Sequence, residues 1–465
     1  MEKIEADLVV IGSGPAGQKG AIQAAKLGKR VVVIESDANP GGASLNSGTI
    51  PSKSLREAIL DLTRFNERSF YGKEIKYEGV SINRLNHRLR RVLEEERKNL
   101  FRHFRKNGIR LIPGFARFIG PSRVEVEDAE HNLHYQIEGR FFLLATGSKP
   151  RNPTNIPFDK EVILDSTRLL DIDQVPESLL VLGSGVIGSE YASFFAALGT
   201  KVTVVDKRDH MLPLLDSEIG THLQAELGDL GLKFLPRKTV RDIKRAEGHA
   251  LLSFDDGTTL ESDKLLYALG RTANIAGMNL EQIGVAITDR GNVAVNDFFQ
   301  TSLSHIYAAG DVIGGPCLAS TSMEQGRLVS CHAFGAQATP FPKAFPIGIY
   351  TIPEISCIGY TEEQLQQKNI QYEVGRAYYY EIARGQISGS TRGLFKLLFH
   401  PETREILGVH ILGRSATETI HIGQVAMSFN ARIDYFVSHI FNYPTFAEGY
   451  RIAALNGINK LSRRS

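Results

Sequence analysis

Cysteine is scarce in this chain: 465 residues carry only Cys317, Cys331 and Cys357. Three thiols with no CxxC and no metal-ligand spacing exclude a disulfide framework. The histidines, His103, His134 and His305 among them, show no HxxxH pattern, so no metal is expected. Long apolar runs are missing too, and none approaches the ~20 residues of a membrane helix. Neither charge sign is in excess: a formal net charge of +2 gives no pull toward nucleic acid or a membrane surface. The opening Met1-Glu2-Lys3-Ile4-Glu5 is acidic and runs directly into a strand pattern, unlike a secretory signal, and a cytoplasmic protein is expected. The remaining composition, 42% hydrophobic and 23% charged, is that of an ordinary globular protein. The length suits about three domains of roughly 150 residues.

What the chain does contain is one long-range repeat. Asp7 to Ile11 leads into Gly12-Ser13-Gly14-Pro15-Ala16-Gly17, and Leu179 to Leu182 leads into Gly183-Ser184-Gly185-Val186-Ile187-Gly188. Each turn is followed by a small-residue helix and a second apolar strand, Arg30 to Ile34 and Lys201 to Val205, ending in an acid. Glu35 follows Gly17 by 18 residues (35 − 17), and Asp206 follows Gly188 by 18 (206 − 188). Two identical arrays of strand, glycine turn, helix, strand and acid predict two βαβ dinucleotide folds. The first glycine makes the turn, the second admits a pyrophosphate, and the third lets helix and strand pack closely. The helix N-terminus then presents unpaired N–H groups and a positive dipole end to the phosphates.

Between the repeats, Leu85 to Asn107 reads as a long helix of mixed charge, the pattern of a solvated face. After residue 340 the pattern changes to strands such as Gly393 to Phe399 and Ile406 to Ile411, with apolar helical segments, which suits an α+β domain.

Further motifs are ordered along the whole chain: Gly41-Gly42-Ala43-Ser44-Leu45-Asn46-Ser47-Gly48-Thr49-Ile50-Pro51-Ser52-Lys53, Ala145-Thr146-Gly147-Ser148, Gly188-Ser189-Glu190, Ala268-Leu269-Gly270-Arg271, Ala308-Ala309-Gly310-Asp311-Val312 and Asn442-Tyr443-Pro444-Thr445-Phe446-Ala447-Glu448. In these the sequence resembles the pyridine nucleotide-disulfide oxidoreductase family. The resemblance implies an α/β fold of two Rossmann-like dinucleotide-binding domains plus a C-terminal α+β dimerisation domain. The FAD-binding domain would cover 1–150 and 273–340, the NAD(P)-binding domain 151–272, and the dimerisation domain 341–465, forming a homodimer.

It also implies roles. Gly12, Gly14, Gly17 and Gly42 would cradle the FAD pyrophosphate, Glu35 would hold the adenosine ribose, and Thr146 with Gly147 would close over the dinucleotide. Ala116, in Gly114-Phe115-Ala116, would lie along the adenine, with an ordinary turn as the alternative. Asp311 would accept a ribityl hydroxyl, with a capping or turn acid as the alternative. Ala319 would open a helix predicted over Thr321 to Phe334, whose N-terminus favours negative charge on the reduced flavin. Lys53 and Glu190 would form the catalytic ion pair at the reacting flavin edge. Gly183, Gly185 and Gly188 would receive the pyrophosphate of NAD(H) or NADP(H), and Gly270 would let the nicotinamide half pass close to backbone. Asp206 alone predicts NAD, because a carboxylate accepts from a 2′-hydroxyl and repels a 2′-phosphate. Lys207 and Arg208 beside it are phosphate ligands by chemistry, so both cofactors are expected, with ordinary loop charges as the alternative.

Two departures bear on the reaction. Where disulfide-reducing members carry Cys-x-x-x-x-Cys, this chain has Ser44 and Thr49, hydroxyls that cannot cycle through a disulfide. Relatives without the full pair commonly keep one cysteine at the place of Ser44, so this chain departs even from them. Where those members carry a C-terminal histidine as acid and base for the thiols, this chain has Tyr443, followed by a retained Glu448. A phenol, with an ordinary pKa near ~10, is a poor proton shuttle at neutral pH. Thiols and thiol base are replaced together, so the resemblance implies hydride passing between NADPH/NADP⁺ and NAD⁺/NADH through the flavin. An NAD(P)H diaphorase with a quinone, oxygen or metal acceptor and a non-catalytic FAD-binding regulator are the alternatives. Retention of Lys53 and Glu190 argues against the regulator.

Overall fold

The structure, a computed structural model, describes residues 1–67, 82–128 and 130–462. The chain forms two units: Met1–Leu55 with Asn86–Arg151 and Gly270–Phe341, and Arg56–Leu85 with Asn152–Leu269 and Pro342–Ser465.

In the first unit the run Val31–Glu35 is buried at all five positions, as expected of a parallel strand covered on both faces. Strands Arg110–Pro113, Val31–Glu35, Glu2–Ile11 and Leu133–Leu144 lie side by side and parallel. The free edge of Leu133–Leu144 is shared: its first half pairs antiparallel with Arg123–Glu127, and its last residues pair parallel with Ile306–Ala308. Period-two alternation sends Leu8 and Val10 to one face, against Ala16, Ala21, Leu328 and Val329. Val9 and Ile11 face the other way, toward Phe118, Phe142 and Met278. On the first face helices Pro15–Lys26 and Ala319–Ala333 pack almost backbone to backbone. A Cβ on Gly326 would lie 2.0 Å from the Ala16 carbonyl oxygen, and Ser330 Oγ donates to the Gly20 carbonyl at 2.7 Å. Because Glu2–Ile11, Val31–Glu35, Leu133–Leu144 and Ile306–Ala308 all run one way, Gly12, Glu35, Ala145 and Gly310 emerge at a single carboxyl edge, where such sheets bind ligands. The predicted helix at Leu85 is present as Ile82–Lys106.

The second unit contains a parallel sheet in the order Lys233–Leu235, Lys201–Val205, Ser178–Leu182, Lys264–Tyr267, Ile163–Leu164. Helix Val186–Ala197 follows its central strand. A separate antiparallel sheet runs Ile347–Ile349, Ile355–Gly359, Ile406–Leu412, Leu394–Phe399, Glu373–Tyr378. Phe395, Leu397 and Phe399 pack with Ile420, Phe436, Tyr450 and Ala453 of the helices on one face. The opposite face carries a polar row in register, Arg376, Lys396, His410 and Cys357. Lys396 is fully buried there, 2.7 Å from Asp216 at the start of helix Ser217–Asp229 and 2.8 Å from Glu218, and it also bonds Glu362. Among the described residues no helix is long and apolar enough to cross a membrane.

Candidate functional site

The two glycine turns are built alike. In the first, Gly12 takes φ +103°, and a Cβ there would lie 2.4 Å from the Ala145 carbonyl oxygen, so only glycine fits. Gly14 caps helix Pro15–Lys26 without a side chain over its first N–H groups. A Cβ on Gly17 would lie 2.0 Å from the Gly12 oxygen, and one on Gly42 (φ +64°) 2.8 Å from Gly14 Cα. Ser13 donates twice to Glu35 Oε2, from N at 2.8 Å and Oγ at 2.6 Å, and the Asp37 N–H donates to Oε1 at 2.8 Å. The buried acid at the strand end is thus fixed by the turn it serves.

The second turn repeats this at Gly183 (φ +107°), where Ser184 donates to Asp206 Oδ2 from N at 2.7 Å and Oγ at 2.9 Å. A Cβ on Gly188 would lie 1.9 Å from the Gly183 oxygen, whereas one on Gly185 meets no protein atom within 4 Å. Arg208 adds its guanidinium to Asp206, with Nε 3.0 Å from Oδ1 and Nη2 2.6 Å from Oδ2. Burial alone would raise the Asp206 carboxyl, but the Arg208 and Ser184 hydrogen bonds outweigh it and hold it well below the usual carboxylate range.

Of the other predicted residues of the first unit, Thr146, Gly147 and Asp311 follow strands that end at this carboxyl edge. Thr146 Oγ1 is buried with no hydrogen-bond partner among the described residues, as expected of a hydroxyl that serves a ligand. Gly147 has φ +65° and open space where a Cβ would stand. Asp311 Oδ2 accepts from Ser148 Oγ at 2.7 Å, and Arg271 holds Ser148 through Oγ at 2.7 Å and the carbonyl at 2.6 Å. The helix predicted from Thr321 begins at Ala319, with no side-chain cap at Leu318. Ala116 is buried, its methyl in the core, two residues after Gly114, whose N–H donates to the Glu35 carbonyl at 2.8 Å. Lys53 lies in helix Thr49–Glu67 with Nζ 3.2 Å from Ser52 Oγ. Gly270 groups with this unit, its carbonyl accepting from Arg151 N at 3.1 Å. In the second unit Glu190 is buried on helix Val186–Ala197, and its Oε1 accepts from Tyr350 N at 2.9 Å.

No thiol relay accompanies these groups. Ser44 Oγ donates to the Gly41 carbonyl at 3.1 Å, and all three cysteines are free. Desolvation by its neighbours, with the Asp311 carboxylate, pushes the thiol of Cys317 up to about 11 even though the residue reaches the surface, and burial takes Cys357 up to about 12. Neither offers a thiolate at neutral pH.

Sequence reasoning passed over Ser13, Ser184, Ser148 and Gln325, whose Oε1 accepts from Gly310 N at 2.8 Å. The shared Gly-Ser-Gly of the two turns was a visible signal for the first two. Ser148 closes the Ala145-Thr146-Gly147-Ser148 motif, which gave it no role of its own, and nothing short-range marks Gln325.

Two cradles that a Cβ would fill, an acid clamped beside each and an orphaned hydroxyl over one of them fit two dinucleotides. Comparison with known proteins agrees. The family described as pyridine nucleotide-disulphide oxidoreductase matches residues 6–326, and its dimerisation domain matches residues 345–454. A soluble pyridine nucleotide transhydrogenase of Mycobacterium bovis (strain BCG Pasteur) is 45% identical over 98% of both chains. One from a Marinomonas species is 40% identical over the same shares. Among solved structures, LpdA of Mycobacterium tuberculosis superposes with a TM-score of 0.89 at 26% identity, over 98% of this chain and 99% of that one. The HOCl-induced flavoprotein disulfide reductase RclA of Escherichia coli gives 0.87 at 28%, over 97% and 99%. The chain belongs to the pyridine nucleotide-disulphide oxidoreductase family.

Proposed function

We propose that this chain is an FAD-dependent soluble NAD(P)⁺ transhydrogenase that passes hydride between NADPH/NADP⁺ and NAD⁺/NADH. The observation that carries this reading is the coexistence of two complete dinucleotide cradles with hydroxyls, Ser44 and Thr49, where a thiol pair would stand. The names of the relatives support it. Bound FAD would supply the two-electron chemistry. Gly12, Gly14, Gly17 and Gly42 let backbone approach its pyrophosphate, Glu35 takes its ribose, and Ala116, Thr146 and Gly147 line its path. Asp311, steadied by Ser148 and Arg271, takes a ribityl hydroxyl, and the N-terminus of the helix at Ala319 favours negative charge beside it. Gly183, Gly185 and Gly188 receive a nicotinamide dinucleotide, with Asp206 and Arg208 at its adenosine ribose and Gly270 beside its nicotinamide half. Lys53 and Glu190 keep the roles the resemblance gives them.

We assign FAD to 1–150 with 273–340, NAD(P) to 151–272 and dimerisation to 341–465, in a cytoplasmic homodimer. Exposed Phe429, Ile440 and Tyr443, at 81%, 93% and 72% of their full areas, support a partner on the last segment. The test is to mix FAD-loaded protein with NADPH and a spectrally distinct NAD⁺ analogue. Reduced analogue should accumulate as NADPH disappears. Reoxidation by quinone or oxygen without any transfer would instead make the protein a diaphorase. Tyr443→Phe is expected to leave the transfer rate nearly unchanged, since no thiol here needs a proton shuttle; a large loss measured in the same assay would give the phenol a role.

A further inference from the structure

The two glycine turns differ in one respect. Glu35 receives three donors, Ser13 N, Ser13 Oγ and Asp37 N. A carboxylate has about four lone-pair sites, so one remains for a ribose hydroxyl. Asp206 receives five donors: Ser184 N and Oγ, Arg208 N, and Arg208 Nε and Nη2. It has none left. The position two residues beyond the acid, Asp37 in the first turn, is Arg208 in the second. The Arg208 side chain is 41% exposed and that of Asp206 3%, so the guanidinium covers the acid on its solvent side.

We propose that Arg208 is a displaceable lid on Asp206 that lets one site accept both nicotinamide dinucleotides. Its Nε and Nη2 are engaged with Asp206, and Nη2 also reaches Ser184 Oγ at 3.5 Å, so Nη1 is the side of the fork that neither Asp206 nor Ser184 uses. A 2′-phosphate binds that side with Arg208 kept in place, the guanidinium bridging carboxylate and phosphate. A 2′-hydroxyl competes with Arg208 for Asp206: the guanidinium, held in the free protein by Asp206, gives way into solvent, and the freed Asp206 oxygens accept from the ribose. The neighbouring cations are Lys207, Arg237 and Lys238; of these Arg237 pairs with Asp209 at 3.0 Å and Lys238 with Asp256. Among the described residues it is Arg208 whose side chain is hydrogen-bonded to the acid.

This rests on the transhydrogenase reading, and two measurements separate their fates. In the first, 2′,5′-ADP and 5′-ADP are titrated calorimetrically into FAD-loaded wild type, Arg208→Gln, Arg208→Lys and Asp206→Asn. In the second, anaerobic flavin reduction by NADPH and by NADH is followed for the same proteins, with FAD content as the check on folding. Arg208→Gln is expected to weaken 2′,5′-ADP and NADPH by roughly 10- to 100-fold, the size of a charge-assisted hydrogen-bond pair. NADH should bind as well as before or better. Arg208→Lys should fall between, keeping the charge and losing the fork, and Asp206→Asn should weaken NADH more than NADPH. Equal shifts for phosphorylated and unphosphorylated ligands in both Arg208 variants would overturn the lid while leaving the transhydrogenase reading intact. Wild type reduced by only one of NADH and NADPH would overturn both.

Discussion

Replacing Lys396 with methionine is expected to cost about 3–5 kcal/mol of stability in the C-terminal sheet, the usual penalty for removing one partner of a buried ion pair. The ammonium is fully buried and bonded to Asp216, Glu218 and Glu362. The remaining cation among them, Arg376, is committed to Glu218 at 2.6 and 2.9 Å. His410, next in the row, supplies no charge, because burial holds its pKa below the ordinary range. The variant therefore leaves three carboxylates facing one guanidinium. Hydrogen exchange of the Leu394–Phe399 amides reads the opening of this sheet directly, and an unchanged opening free energy would refute the account. Adding Glu362→Gln to Lys396→Met should recover part of the loss.

The pH dependence follows from signs. Burial alone would raise the Glu218 carboxyl, but hydrogen bonds from Arg376 and Lys396 draw it down to about 2. A depressed folded pKa contributes stability that is complete above the unfolded value of ~4.3 and is lost as pH falls toward 2. For Lys396, burial would lower the ammonium, and the three carboxylates more than reverse this, raising it. Its contribution is complete below the unfolded ~10.4 and lost only as pH rises through the higher folded value. Wild type should therefore hold this stability from about pH 5 to about pH 10. In Lys396→Met the carboxylates take up protons more readily, so the deficit against wild type should shrink as pH falls toward ~5.

Lys396 also marks where sequence reading stopped. Leu394–Phe399 was legible as a strand, but a strand buried on both faces reads as an apolar run, in which a lone lysine looks like a solvent break. What makes it a core residue is Asp216, 180 positions away, and no local pattern carries that pairing. The glycine turns were legible for the opposite reason: their constraint lies within one strand-turn-helix unit, and the acid follows at a fixed distance. The clamps inside them were hidden because a glycine fingerprint treats its second position as variable. Yet serine fills it both times and holds the acid. Around Asp311 the supports are non-local, Ser148 being 163 residues away. Thus the resemblance could point to Asp311 but not to what steadies it.

Two substitutions in the second turn should both reduce flavin reduction by NADH and NADPH, by about 100-fold or more, for different physical reasons. Gly185 has φ −73° and ψ −175°, open to any residue, and a Cβ there meets no protein atom within 4 Å. Gly185→Ala should fold as wild type, so whatever it loses reports on a group approaching from outside. A methyl at the point where a pyrophosphate must touch backbone displaces it by about 1 Å, enough for losses near 100-fold. Gly188→Val acts from within: its Cβ would stand 1.9 Å from the Gly183 carbonyl oxygen. Helix Val186–Ala197 must then move off strand Ser178–Leu182, carrying its N-terminal N–H groups out of line with the phosphates. Gly188→Val should therefore lose thermal stability as well as nucleotide binding, and Gly185→Ala binding alone. FAD content should persist in both, because the first cradle closes on Gly12, Gly14 and Gly42 of its own unit. Full reduction of Gly185→Ala by NADH at wild-type half-saturation would mean that no phosphate rests on this turn, and the second dinucleotide would have to be sought elsewhere.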